Sequence, residues 1–262
     1  MRVKAATGWP LALVLAGALI AAPGPARADD GVPAASAVTV SGSASVLSQR
    51  RFRGLAMSDN QPAAEAELTA THQSGAYAGV LVASLAPGAA LDAGRGEVDL
   101  YGGWAHAITP AGLTLDLGLR AYLFPGRTGL DRVEAIASLD RQLGPLDLRG
   151  GVAFAPAARG WLPGAGRRSS VYGFADLRGD VPTTPLSLHA HGGCTAGGLD
   201  WVRGTCDYRL GAGATKQHWG IDVSVVGTTL ARADAARAAP VDANEVWRVA
   251  RTAVVLGVTF QY

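Results

Sequence analysis

Cysteine occurs twice in this chain, lysine only at Lys4 and Lys216, aromatics make up 6% and charged residues 17% of 262 residues. Each scarcity excludes something. With a net charge of +2 and arginines scattered along the chain, no element concentrates the basic face that nucleic acid requires. Beyond residue 28 there is no run of about 18 continuous apolar residues, so no membrane-spanning helix is expected there. No serine lies in a G-x-S-x-G motif, and the histidines His72, His106 and His218 fall near turns. No enzymatic activity and no cofactor are therefore expected.

What is present begins with an export signal. Arg2 and Lys4 form a basic start, Leu11 to Ile20 a short apolar run, and Ala26-Arg27-Ala28 an A-x-A cleavage site. Residues 1–28 thus read as a signal peptide, and 29–262 as one exported domain beginning at Asp29.

From there the dominant pattern has a period of two. In the last stretch Val254, Leu256, Val258, Phe260 and Tyr262 share one face, with Val255, Gly257, Thr259 and Gln261 on the other. An exposed apolar terminal strand is a liability in water. It suits an outer-membrane barrel, where the last strand pairs with the first and lipid covers the apolar face. Val38, Val40, Ala44 and Val46 likewise alternate with Thr39, Ser41, Ser43 and Ser45, and Leu113, Leu115, Leu117, Leu119 and Leu123 alternate with Thr114, Asp116, Arg120 and Tyr122. The face of the stretch Tyr77 to Leu85 is ambiguous. About twelve such strands can be placed, the last from Val246 to the terminus.

Connections alternate long and short. The long ones are Ser48 to Pro62, Pro87 to Arg95, Pro125 to Arg132, Pro156 to Ser169, Gly192 to Thr205 and Ala231 to Glu245. Short turns fall near Ser74, Pro110, Gly144, Asp180 and Gln217. That order predicts an all-β, transmembrane, antiparallel up-and-down barrel with both termini at the periplasmic end; a water-soluble periplasmic barrel is the alternative. Tyr77, Trp104, Trp219 and Tyr262 are expected at the inner interface, Phe154, Tyr208 and Arg251 at the outer one.

The alternation turns Glu65, Glu67, Glu97, Asp99, Asp116, Glu134, Asp140, Asp147, Asp176, Asp207 and Asp222 inward, with Arg120, Arg149, Arg178 and Arg209. Two readings remain open. These residues line a water-filled pore for small hydrophilic solutes, its acidic majority favouring cations, or they pair across strands and close the lumen.

Cys194 and Cys206 flank one connection and, in an oxidising compartment, are expected to form a disulfide. A metal site from His189, His191, Cys194 and Cys206 is the alternative, although its spacing fits no zinc pattern. Arg50, Arg51, Arg53, Arg159, Arg167, Arg168, Arg203, Arg232 and Arg237 crowd the long connections. They are expected either to meet the head groups of outer-membrane lipid and lipopolysaccharide or to be ordinary solvated charge.

The stretch from Arg51 to Ala63, with Phe52-Arg53-Gly54, Ser58-Asp59 and Pro62-Ala63, resembles the segment near the mature N-terminus of the TorF porin family. Three further stretches are similar in the same order: Glu97 to Trp104, then Asp116-Leu117-Gly118 with Tyr122 and Pro125-Gly126, then Arg132-Val133-Glu134. Ala56 stands where that family usually has Ser. The resemblance implies an outer-membrane β-barrel porin. Resemblance to outer-membrane proteins at large implies that Phe260 and Tyr262 belong to the signal read by the barrel assembly machinery.

Overall fold

The structure, a computed structural model, describes residues 37–87, 93–109, 112–161, 166–199, 205–236 and 242–262. The expected signal peptide, Arg203 and Arg237 lie outside them. Twelve strands form the wall: β1 (Val38–Leu47), β4 (Ala63–His72), β5 (Ala76–Ser84), β6 (Gly96–Ala107), β7 (Leu113–Leu123), β8 (Arg132–Leu143), β9 (Leu146–Arg159), β10 (Arg167–Asp180), β11 (Leu186–Gly197), β12 (Cys206–Lys216), β13 (Trp219–Thr228) and β14 (Ala253–Gln261). A small hairpin, β2 (Arg51–Phe52) and β3 (Leu55–Ala56), lies between β1 and β4, and helices α1 (Arg232–Ala235) and α2 (Ala243–Ala250) lie between β13 and β14.

Each wall strand pairs antiparallel with its neighbours, and β14 closes the ring on β1. The seam runs from Ser43↔Gln261 to Leu47↔Gly257. At its end the Tyr262 N–H donates to the Gly42 carbonyl at 2.9 Å and the Gly42 N–H to the Tyr262 carbonyl at 3.2 Å. No sheet edge is left, which removes the liability of an apolar last strand.

The two-residue period decides what faces out. Val46, Leu100, Leu117, Leu119, Val152, Leu188, Leu210, Ile221, Leu256 and Val258 are exposed, forming an apolar belt around the barrel. Trp104, Trp219 and Tyr262 at one end of the belt and Phe154 near the other also face outward. Among the described residues no helix is long and apolar enough to cross a membrane. Tight turns close the end opposite the long connections. At Gly144-Pro145, Gly144 takes φ +61°, the left-handed value that a two-residue hairpin turn needs at its first central position.

Three expectations are corrected. Residues 243–250 are helical, so the last strand starts at Ala253 rather than Val246. A strand there would have carried Arg248 on the same face as Val254, against lipid. Instead Asp242 caps α2 by accepting from the Asn244 N–H at 2.7 Å, and Val246, Val249 and Ala250 are buried together at helical spacing. Second, Tyr77 faces the lumen, where its hydroxyl donates to Asp116 at 2.8 Å. Gly103 and Gly118 make room for the ring: a Cβ on either would come within 2.8 Å of the Tyr77 hydroxyl. Third, β9, β10 and β11 extend beyond the expected strand ends, shortening two outer connections.

Cys194 and Cys206 face each other in register across β11 and β12 and are disulfide-bonded, which removes both thiolates from the alternative metal site. With 12 residues of separation, the bond is worth about 3 kcal/mol at most. The paired Cys194→Ser/Cys206→Ser variant is expected to unfold at lower urea concentration in micelles without losing barrel yield, since the β11–β12 ladder remains.

Candidate functional site: a plugged, charge-paired lumen

The connection between β1 and β4 turns inward and stops the outer half of the barrel. Its hairpin reverses at Arg53-Gly54, both with positive φ (46° and 78°), as the commonest two-residue hairpin requires. Gly54 is pressed against the wall, where a Cβ would lie 2.6 Å from the Gly227 carbonyl and 2.5 Å from the Thr228 methyl. Any larger residue would push the tip back into the lumen.

The hairpin's arginines meet acids on the wall. Arg50 donates to Glu65 at 2.8 Å and, through Nε and Nη2, to Glu97 at 3.0 and 2.8 Å. Arg53 reaches Glu134 at 2.7 Å and lies over the Tyr172 ring at 3.9 Å. Beside them Arg120 pairs with Asp99 at 2.7 Å, and Arg132, 3.7 Å from Glu134, is surrounded by the rings of Phe52, Tyr122, Phe124 and Trp161. Four guanidiniums (50, 53, 120, 132) thus meet four carboxylates (65, 97, 99, 134), all nearly sequestered from solvent. Burial alone would lower the Arg50 pKa, but Glu97 and Glu65 outweigh it and hold the guanidinium above its ordinary value.

Above the ion pairs lies an apolar cap. Phe52, Leu55, Ala56 and Met57 pack with Tyr122, Phe124, Trp161, Leu230, Val246, Val249 and Ala250. Phe52 meets Tyr122 and Trp161 edge to face. Helix α2 fastens the plug from the far side: Arg248 binds Asp59 and Glu245, both at 2.6 Å, and Arg51 Nη1 donates to the Arg251 carbonyl at 2.9 Å.

Nearer the tight-turn end the wall is polar and also cross-linked. Arg149 pairs with Asp116 (3.2 Å) and Asp140 (3.5 Å), Arg209 with Asp222 (2.9 Å), and Arg178 with Asp180 (3.8 Å) while facing Asp147 in register. His191 bridges Asp176 (2.6 Å) and Asp207 (3.2 Å), and its Nε2 meets the Tyr172 hydroxyl at 2.8 Å. His189 lies 3.4 Å from Asp222. Among the described residues no group of His, Cys, Asp and Glu could hold a metal.

Every residue expected inside is inside: Glu97, Asp99, Asp116, Arg120, Glu134, Asp140, Asp147, Arg149, Asp176, Arg178, Asp207, Arg209 and Asp222 all lie on inward strand positions. Arg50, Arg51 and Arg53 are not outer-rim charges, as expected, but buried parts of the plug. Sequence reasoning missed that plug and the place of Arg132, His189 and His191 in the lumen's charge network, the two histidines having been read only as members of an alternative metal site. The available signal was an excess of inward acids on β4, β6 and β8 with too few strand arginines to match them.

These features define the class: a closed twelve-strand barrel with an apolar outer belt and a polar lumen, the build of an outer-membrane porin. The chain belongs to the Gcw_chp family, described as bacterial protein of unknown function, whose profile matches residues 32–260. Among curated proteins nothing matches. Among solved structures it is similar to the NanC porin, at 8% identity, 86% of this chain, 100% of that one and a TM-score of 0.57. The KdgM porin shows 6% identity, 86% and 99% coverage and a TM-score of 0.50. The COG4313 outer membrane channel from Pseudomonas putida F1 shows 13% identity, 88% and 99% coverage and a TM-score of 0.50. At such identities the likeness is one of fold.

Proposed function

We propose that the protein is a porin-like channel of the bacterial outer membrane for small hydrophilic solutes or ions, kept narrow by its own first connection. One observation carries the reading: a lipid-suited barrel whose wall turns charged and polar side chains inward along the strands and whose obstruction is held to that wall, among the described residues, by non-covalent contacts. The fold shared with porins and the resemblance to the TorF family support it. So does the acidic majority near the tight-turn end, where Glu67, Asp116, Asp140, Asp147, Asp176 and Asp222 outnumber Arg149, Arg178 and Arg209; this favours cations. Export through residues 1–28, recognition of Phe260 and Tyr262 by the assembly machinery, and the absence of catalysis belong to the same proposal.

A second reading is a non-conducting structural or adhesion barrel, favoured by the pairing of each strand arginine in the lumen with an acid. Planar-bilayer recording separates the two. A channel gives discrete conductance steps, with a reversal potential displaced toward the cation under a salt gradient. Silence of both the intact protein and a variant with residues 49–61 replaced by a Gly-Ser turn would leave only the structural barrel. Liposome swelling with sugars tests solute passage in the same pair.

A further inference from the structure

The outward glycines of β9, β10 and β11 differ from the inward ones beside them. A Cβ on Gly151 would lie 2.6 Å from the Phe174 ring, and one on Gly193 would run into the Tyr172 ring, so those two glycines make room for side chains of the lumen. The outward ones make room for nothing in the chain. A Cβ on Gly150 or Gly192 would meet only a backbone oxygen at ordinary contact distance, 3.9 and 4.0 Å, and one on Gly173 would meet nothing within 4 Å. None of the three has a positive φ. Side chains are therefore missing from this part of the belt without a reason in the packing or the backbone.

Register turns the gaps into a groove. Gly150 pairs with Ala175, and Ala175 with Gly192, so three neighbouring strands carry nothing larger than a methyl group on the lipid side. Leu139, opposite Gly150 on β8, and the pair Leu148↔Leu177, nearer the tight turns, wall a groove of about 580 Å³ around that floor. Barrel strands lean by about 35–45°, so a register row climbs as it crosses them. This one starts on β8 near the turn at Gly144 and runs through Gly192 to Tyr208, near the outer end of β12. The groove slopes from the inner interface into the belt, as an acyl chain does below its head group.

Its lower end carries a charge. Arg141 follows Leu139 on the outward face of β8 and lines the same groove. Its partners across the sheet are Leu113 and Leu148. Asp140 and Gln142 point the other way, into the lumen, and among the described residues no acid pairs with Arg141. Arginines of the outer rim stand in water, whereas this one stands among leucines on the lipid-facing wall. A guanidinium there lays its stem along the apolar surface and takes its counterion from the membrane interface.

We propose that this groove binds one glycerophospholipid of the inner leaflet, with its phosphate on Arg141 and one acyl chain over Gly150, Ala175 and Gly192. The site rests on the outer-membrane reading above. Charge and position select the occupant. Arg141 lies at the tight-turn, periplasmic end, the depth of the inner leaflet's phosphates, and a guanidinium pairs with phosphate through its fork. A second barrel docked here about a twofold axis along the membrane normal would instead set its own Arg141 at the same depth, like charge against like.

The test uses the full-length protein folded in detergent micelles and exposed to palmitoyl-oleoyl phosphatidylglycerol or to the diacylglycerol with the same chains, with bound lipid counted by native mass spectrometry. The intact protein is expected to retain one phospholipid, bound at least about tenfold more tightly than the diacylglycerol. Arg141→Gln should lose that preference. Gly150→Leu/Gly192→Leu, whose Cβ atoms the wall has room for, should lose the retained lipid although Arg141 remains. Heat-dependent gel mobility checks that both variants fold, and Arg141→Gln decides alone if the leucine variant does not. Undiminished preference in Arg141→Gln, or undiminished retention in a folded leucine variant, overturns the proposal. An intact protein that holds no lipid but forms dimers, which the leucine variant converts to monomers, would assign the face to a second copy and overturn it as well. A chain that folds in buffer without detergent removes the outer-membrane reading and this site together, whereas a barrel that conducts in bilayers but retains no phospholipid removes the site alone.

Discussion

Replacement of Arg50 by alanine is expected to unseat the β2–β3 hairpin from the lumen while leaving the barrel closed, and to raise single-channel conductance. Arg50 is the sole described guanidinium that binds both Glu65 and Glu97, and all three side chains are nearly removed from solvent. Its backbone also anchors the plug, accepting from Met57 N–H at 2.9 Å and donating to Ser58 Oγ at 2.9 Å. Removing one member of a buried ion pair leaves uncompensated charge and costs about 3–5 kcal/mol. Because those acids belong to the wall, the charge regains solvent once the hairpin withdraws. The cost therefore falls on the seated state, shifting the seated-to-withdrawn ratio by about two to three and a half orders of magnitude. Two measurements check it: conductance in planar bilayers and protease cleavage within residues 49–61. Arg50→Lys keeps the charge without the fork and should give a smaller change. A folded Arg50→Ala barrel with unchanged conductance and a protected hairpin would show that the apolar cap and the remaining ties of Arg51, Arg53 and Asp59 hold the plug without Arg50.

The second large effect concerns the belt. Leu256 is 52% exposed near the middle of β14, beside Val223 of β13 on the same outward face. Leu256→Arg is expected to lower folding stability in bilayers by about 2–4 kcal/mol, because mid-depth lipid offers the guanidinium neither water nor counterion. Tyr262→Arg, at the terminus and 85% exposed, should cost about 1 kcal/mol or less in the same bilayers, the interface being tolerant. The gradient between the two positions is the diagnostic quantity, measured by urea titration of folded barrels in lipid vesicles. A water-soluble barrel would tolerate both changes alike, and equal stabilities would refute the membrane orientation.

Much of the wall was legible because its signal is local. On β1, β4, β6, β7 and β8 the apolar and polar faces separate cleanly, and the structure keeps them as read. On β5 both faces are apolar or small: Tyr77, Leu81 and Ala83 point in, Ala76, Ala78 and Val82 out. The period there carried no sign, and room beside Gly103 and Gly118 decided it. Residues 246–250 misled for a related reason. Val246, Trp247 and Val249 are good strand formers, but strand geometry would have aimed Arg248 at lipid, whereas a helix buries Val246, Val249 and Ala250 under the plug.

The site was half legible. Alternation placed the lumen's acids and four of its arginines correctly, yet left open whether they lined water or each other. Their partners explain why: Arg50 meets Glu65 and Glu97 across 15 and 47 residues, and Arg53 meets Glu134 across 81. Such pairings leave no periodic trace, and an arginine in a Gly- and Ser-containing connection reads as solvated until the chain folds it inward.

By itself, then, the sequence determined a closed barrel and which face of nearly every strand meets lipid, because side-chain direction in a strand depends only on the neighbouring residues. Only the tertiary structure decided that the first long connection folds inward as a charge-paired plug in the outer half of the lumen. That outcome depends on whether charges far apart in the chain come within hydrogen-bonding distance inside the ring, and closure of the ring at Gly42 and Tyr262 is what brings them there.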